Sequence, residues 1–220
     1  NYKIILKSKK LNYSHNLKTH YNKLFLSNGN SYLTAQQSSR KTQERRMKFL
    51  INGLKIKKND KILDFGCGTA HLYEYLKKNK LYVNYTGIDI ADKIIEFNKK
   101  VYKKNPKVKF INLNILSSKK KIGKFDYIFV SGTFNNKLKD NWNWMQNCLK
   151  YLFRRTKKTL VFNNLNYYVD YYDKNLFYIK PEKVFEFCKK NLSLYVSINN
   201  DYQIKKGIIP FEFTTFVYKK

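Results

Sequence analysis

Hydrophobic and polar positions follow two rhythms along this chain, and the changes of rhythm mark out its elements. Short apolar runs rich in β-branched and aromatic residues occur at Lys61 to Phe65, Tyr82 to Ile88, Val108 to Leu113, Phe125 to Ser131 and Thr159 to Asn163. Their length and composition are those of buried strands. Stretches near 70–79, 91–104 and 140–154 instead space their apolar positions for helices. Short strands alternating with helices predict a parallel sheet joined by right-handed crossovers. The rhythm changes late in the chain. Pro181 can open a helix carrying Val184, Phe185, Phe187 and Cys188, and two β-rich runs follow, Ser193 to Ile198 and Phe211 to Tyr218, with Gly207 in the loop between them. That loop is too short for a helical crossover, so the two runs should pair antiparallel. The expectation is an α/β three-layer sandwich with a mostly parallel seven-stranded sheet and a C-terminal antiparallel hairpin.

Upstream of the first strand, Ser38 or Ser39 can cap a helix in which Met47, Leu50, Ile51 and Leu54 form an apolar stripe. Residues 1–37 are polar, aromatic and irregular, with a turn cluster at Ser27 to Asn30, and read as a short helix plus loop outside the sheet. They make a candidate lid over a domain at 38–220. No internal repeat or interdomain linker interrupts that span.

Composition changes this picture little. No apolar run reaches the roughly 18 residues a membrane-spanning helix needs, and no signal-peptide pattern opens the sequence. A soluble, cytoplasmic protein is therefore expected. Cys67, Cys148 and Cys188 are far apart, odd in number and set in apolar surroundings. Neither a disulfide framework nor a metal site is expected from them.

The formal charge of +30 points towards nucleic acid. However, only five of the 45 basic residues are Arg, and the lysines are scattered among abundant Asn, Ile, Tyr and Phe, the residues an AT-rich genome favours. Arginine is the residue that grips phosphate bidentately. The charge is accordingly read first as a solvated lysine surface and second as a nucleic-acid face.

The chemistry is concentrated after the first strand. In Lys61-Ile62-Leu63-Asp64-Phe65-Gly66-Cys67-Gly68-Thr69-Ala70 a strand runs into a glycine turn and then a helix. Gly66 and Gly68 allow a tight turn and close approach to a ligand, at the sheet edge where such folds bind nucleotides. At the end of the next strand stands Asp89, a carboxylate able to accept from both hydroxyls of a ribose. A phosphate-cradling turn would place a third glycine where His71 stands, and no G-K-[ST] is present. NAD and ATP are therefore disfavoured.

The run DFGCGTA resembles the first motif of class I S-adenosylmethionine-dependent methyltransferases, D-x-G-x-G-x-G, with Ala70 in place of the last glycine. The resemblance covers about 38–218 and implies a Rossmann-like fold, S-adenosylmethionine as cofactor and no metal. It also implies cofactor contacts from Asp64, Gly66, Cys67, Gly68, Asp89 and Ile90, with Gly66 and Gly68 bordering the methionine part and Asp89 holding the ribose, and from Asn114 with Ile115 against adenine. Asn114 departs from the family's usual acidic residue, although its carbonyl can still accept from an amino group. Ser131-Gly132-Thr133-Phe134-Asn135 is similar to the family's fourth motif, where methyl group and acceptor meet. It implies Ser131, at the cofactor, and Asn135 as catalytic-site residues. It is not the N-P-P-Y or D-P-P-Y of base-methylating enzymes. An S-x-x-T-Q-E-x-R stretch (Ser39 to Arg46), a D-Y pair (Asp201-Tyr202) and F-E-F-T (Phe211 to Thr214) resemble one bacterial group of these enzymes, a likeness that names no acceptor.

Methyl transfer from a sulfonium is a direct displacement, in which aligning donor and acceptor in a dry pocket supplies much of the rate. A base is required only for an acceptor that is protonated at the working pH. No Ser/His/Asp set is present, and His15, His20 and His71 read as surface or helix-end residues. Arg46, with Gln43 one turn earlier, can reach a cofactor carboxylate. The polar and aromatic segment from Asn163 to Tyr172 should meet the acceptor through Asn166 and Tyr168, with Tyr13 and Tyr21 closing from the lid. Three readings stay open: a methyltransferase acting on an oxygen or nitrogen of a small molecule such as a sugar, an RNA methyltransferase, or a non-catalytic binding module on the same fold.

Overall fold

In the computed structural model of the chain, residues 16–220 are described, and they build one sheet covered on both faces. Helix α1 (16–28) is followed by α2 (Arg40–Ile51), β1 (Lys61–Phe65), α3 (His71–Lys78), β2 (Asn84–Asp89), α4 (Asp92–Val101), β3 (Val108–Asn112) and β4 (Phe125–Val130). The order continues with α5 (Asn141–Phe153), β5 (Thr156–Asn166), β6 (Tyr178–Ile179), α6 (Pro181–Asn191), β7 (Val196–Asn199) and β8 (Glu212–Tyr218). The strands lie in the order β3-β2-β1-β4-β5-β8-β7. The first five of these are mutually parallel, and β8 runs antiparallel to both β5 and β7. The expected C-terminal antiparallel pair is thus present.

Side chains alternate between two cores along the central strands, as a pleated sheet covered on both faces requires. Leu63, Ile128, Val130, Leu160 and Phe162 pack with α5 and α6, whereas Ile62, Tyr127, Phe129 and Val161 pack with α2, α3 and α4. This makes the three-layer sandwich. Helix α2 starts where the sequence placed it, with a Ser39–Thr42 capping box, and it buries Met47 and Leu50 together with the polar Gln43 and Arg46. Pro181 opens α6 as expected.

The sheet has eight strands rather than seven. The extra one, β6, is two residues long and pairs parallel with Leu165 and Asn166 at the far end of β5. The strand β5 itself runs three residues beyond the expected Asn163. Among the described residues no helix is long and apolar enough to cross a membrane, and Cys67, Cys148 and Cys188 are free and buried.

Candidate active site

A cavity of about 270 Å³ opens where the strand order reverses, between the carboxyl ends of β1 and β4. Ligands of open α/β sheets bind at this kind of crevice. Its floor is the glycine turn. Gly66 has φ +76° and donates its N–H to Ile88 O at 2.8 Å, and a Cβ on it would collide with Thr133. Thr133 in turn donates Oγ1–H to Phe65 O at 2.9 Å, so the turns after β1 and β4 are in direct contact. Ala70 takes φ +64° at the head of α3, a left-handed conformation costing a non-glycine residue roughly 1–2 kcal/mol. The missing third glycine thus leaves the turn's shape intact.

Two carboxylates face this floor. Asp89 accepts from Gly68 N–H at 3.0 Å and from Ala91 N–H at 2.9 Å, which ties the glycine turn to the start of α4. Burial raises its pKa against the pull of those backbone donors. Asp64 lies deeper, buried on β1, and its one side-chain partner among the described residues is Tyr85, whose hydroxyl donates to it at 2.6 Å. Burial pushes the Asp64 carboxyl up to about 7, the Tyr85 bond pulls it back, and the Asp89 charge raises it further. Burial also keeps Cys67, beside them, as a thiol.

The opposite wall is held by a buried polar chain. Gly132 N–H donates to Asn163 Oδ1 at 2.7 Å, and Asn163 Nδ2 donates to Glu212 Oε1 at 3.3 Å. Glu212 Oε2 receives Arg46 Nε at 2.8 Å and Nη2 at 2.7 Å. Tyr202 adds a hydroxyl at 3.4 Å, and the third arginine nitrogen donates to Gln37. The three stretches S-x-x-T-Q-E-x-R, D-Y and F-E-F-T therefore meet at one ion pair. Asn135 lines the same wall, and its Oδ1 is buried without a hydrogen-bond partner among the described residues.

Helix α1 closes the near side through Leu17 and Tyr21. It is anchored by Lys18 and Asn22 on Asp92, at 2.8 and 2.7 Å, and by Tyr21, whose hydroxyl accepts from Asn136 Nδ2 at 2.7 Å. Burial, with the Asp89 charge, raises the Tyr21 pKa and keeps its phenol protonated. His71 also reaches the cavity. Gln43 Nε2 donates to its Nδ1 at 3.0 Å, and burial together with Arg40 lowers its pKa, so the imidazole is neutral. No metal-type cluster of His, Cys, Asp and Glu is present among the described residues.

Residues 63–155, which include this floor and wall, match a family model described as a methyltransferase domain. A Mycobacterium tuberculosis (strain ATCC 25618 / H37Rv) protein named "Putative methyltransferase Rv1506c" is 28% identical over 164 residues, covering 72% of this chain and 92% of that one. Among solved structures, magnesium protoporphyrin IX methyltransferase from Synechocystis PCC 6803 with bound SAH has a TM-score of 0.60 at 10% identity, covering 92% of this chain and 93% of its own. The methyltransferase domain of bacterial CtHen1-C reaches 0.62 at 18% identity, covering 81% and 100%. At such identities the solved structures speak for the fold alone. Residues 63–155 match a methyltransferase domain, and the fold is the Rossmann-like one of S-adenosylmethionine-dependent methyltransferases.

For a methyltransferase of this class, the cavity gathers most of the residues singled out in the sequence. Arg46, Asp64, Gly66, Cys67, Gly68, Asp89 and Ile90 line it, as do Tyr21, Ser131 and Asn135. Four of the expected residues stand elsewhere. Asn114 Oδ1, expected at adenine, accepts from Leu116 N–H at 3.1 Å in a local turn, and Ile115 is buried in the α5/α6 core. Asn166 is buried with its Nδ2 on Asn200 Oδ1 and Pro210 O, at 3.1 and 3.2 Å, and Tyr168 is exposed with its hydroxyl on Glu182. None of these four lines the cavity. Tyr13 lies outside the described residues. Arg46 is buried, its side chain 6% exposed and bound to Glu212. Glu212 carried no assigned role in the sequence, although a carboxylate inside the apolar run Phe211 to Tyr218 was a usable signal.

Asp89→Ala should weaken cofactor binding by roughly 1–3 kcal/mol, the usual cost of unpaired groups in a binding site. It should also lower stability, because Gly68 and Ala91 N–H lose their acceptor. Calorimetry with S-adenosylhomocysteine on variant protein shown to be folded is the measurement. Unchanged affinity would remove Asp89 from the site.

Proposed function

We propose that the cavity holds S-adenosylmethionine and that the enzyme methylates an oxygen or nitrogen of a small, uncharged acceptor. The donor set fits the cofactor. Asp89 has lone pairs left for ribose hydroxyls, and Asp64 is a buried carboxylate with a single partner, suited to a cation. Arg46 keeps N–H groups free beyond those bound to Glu212 and Gln37, enough for a carboxylate. Among the described residues the cavity lining includes no lysine and one arginine, which is ion-paired, and this suits a ligand without a pyrophosphate. When bound, S-adenosylmethionine supplies a methyl group already activated on a sulfonium.

The protein's own share is placement and dryness. The chain from Gly132 through Asn163 and Glu212 to Arg46 fixes the turn after β4 relative to α2, and Thr133 fixes it relative to β1. Helix α1 shields the near side from water. The observation that carries the acceptor reading is Asn135. A buried carbonyl without a partner, on the cavity wall beside Ser131, calls for a hydrogen bond from an O–H or N–H of a ligand.

The net charge of +30 favours a second reading, in which RNA is the acceptor. Labelled S-adenosylmethionine incubated with the enzyme and with cell extract split into metabolite, protein and RNA fractions separates the two. Label is expected in the metabolite fraction, and label confined to RNA would establish the second reading. S-adenosylhomocysteine should bind in calorimetry and NAD should not. Tight NAD binding with no response to the adenosyl ligand would overturn the cofactor assignment.

A further inference from the structure

Between Leu165 and Leu176, which both line the cavity, the chain makes an excursion that presents Tyr167, Tyr168, Tyr171 and Tyr172 to solvent, 44% to 74% exposed. Clustered exposed aromatics on a folded surface mark an interaction site more often than chance. The excursion is built rather than loose. Tyr167 N–H donates to Ile179 O at 3.1 Å, Asn166 Oδ1 accepts from Tyr168 N–H at 3.1 Å, and Asp173 Oδ1 accepts from Asn175 N–H at 2.8 Å. Its returning limb is sewn to the loop after β4, with Phe177 N–H on Asn135 O at 2.7 Å and Lys137 N–H on Asn175 O at 2.8 Å. The tyrosine surface therefore adjoins the residue expected to receive the acceptor.

The rings of Tyr167, Tyr168 and Tyr172 are held but not used up. Tyr168 and Tyr172 spend their hydroxyls on Glu182 and on Tyr167 O. Tyr167–Tyr168 and Tyr172–Tyr178 meet edge to face, at 5.7 and 4.9 Å, and Tyr167–Tyr172 is tilted at 5.7 Å. No two of these rings stack face to face, so ring faces remain for a ligand, Lys180 lying over one face of Tyr167. Charge decides which ligand. In a chain of net +30, residues 166–180 are balanced, Lys174 and Lys180 being offset by Asp170 and Asp173, and the facing strip sets Lys137 and Lys139 against Asp140. A phosphate backbone would gain nothing from such a surface and would be drawn to the lysines elsewhere. Aromatic faces with carboxylates beside them suit a partner whose apolar C–H faces stack on rings and whose hydroxyls donate to carboxylates. That chemistry is a neutral sugar chain.

We infer that the methyl acceptor is one unit of a neutral oligosaccharide whose neighbouring units lie on the Tyr167–Tyr172 surface. This rests on the small-acceptor reading above and extends it from a free metabolite to a glycan. The test uses the full chain, with S-adenosylhomocysteine present, on an array of neutral and acidic glycans, and with a twelve-residue oligouridylate at moderate salt as the counter-probe. Neutral glycans of two or more units should bind. The Tyr168→Ala/Tyr171→Ala double variant should bind them roughly tenfold more weakly or worse, about the contribution of one stacked ring, with affinity for S-adenosylhomocysteine unchanged. Tyr171→Phe, which keeps the ring, should bind as the parent does. A silent array, equal binding by the double variant, or tyrosine-dependent binding of oligouridylate in place of glycans would each overturn the inference. Loss of S-adenosylhomocysteine binding in the parent protein would instead count against the cofactor reading, since the glycan arm is scored on its own.

Discussion

Glu212→Ala is expected to cost the protein about 3–5 kcal/mol of stability, because it leaves the Arg46 guanidinium buried without its counter-charge. For a chain of this size that is a fall in melting temperature of roughly 10 °C or more. The reason lies in the geometry. Glu212 is 1% exposed and receives Arg46 through two nitrogens, so water cannot replace it. Stability alone would not distinguish a strut from a ligand-positioning residue, and a paired substitution does. Arg46→Met with Glu212→Leu replaces both charges by apolar groups of similar size, a change that is often neutral in other buried pairs. The double variant should regain most of the lost melting temperature and still bind S-adenosylhomocysteine at least about tenfold more weakly than the parent. If it regains affinity as well as stability, Arg46 serves the fold and not the cofactor.

How legible this site was in the sequence depended on how far its parts lie apart along the chain. Asp64, Gly66, Gly68 and Asp89 were readable because a strand, a turn and the end of the next strand constrain one another within about one βαβ unit. The pairing of Arg46 with Glu212 spans 166 residues, and no local pattern encodes it, although both ends stood in quoted motifs. Asn114 misled because an Asn after a strand can serve a ligand or its own turn, and here it closes a turn on Leu116. Asn166 misled for a different reason. It was placed beyond a strand ending at Asn163, whereas β5 continues to Asn166 and is held there by β6, a strand too short to register as a pattern. What was expected at the sheet edge is thereby part of the sheet, and the tyrosines beyond it are carried out to the surface. The alternation of apolar positions on β1, β4 and β5 was plain, and it fixed the sandwich with little else needed.

Asp64→Asn should make the cofactor-free protein more stable at pH 8 while making it a poorer binder of S-adenosylmethionine. The Asp64 carboxyl titrates near 7 in the folded protein, against 3.8 as its ordinary value. Between those two pH values the folded state holds a proton that the unfolded chain has released, so stability falls as pH rises through that window and levels off above it. The penalty at pH 8 is of order 2–4 kcal/mol. It is absent at about pH 3 and below, where both states are protonated. Asparagine does not titrate and can still accept the Tyr85 hydroxyl, so its advantage should appear at pH 8 and shrink towards zero by about pH 3 in parallel denaturant titrations. Cofactor binding should show the reverse trend. A cation placed against Asp64 favours the ionised form, so affinity for S-adenosylmethionine should rise as pH passes through about 7 in the parent and should lose that step in Asp64→Asn. Equal stability differences at both pH values would mean that the carboxyl is not held up by burial. A pH step in affinity that persists in the variant would assign the titration to another group, with Asp89, also raised by burial, the first to examine.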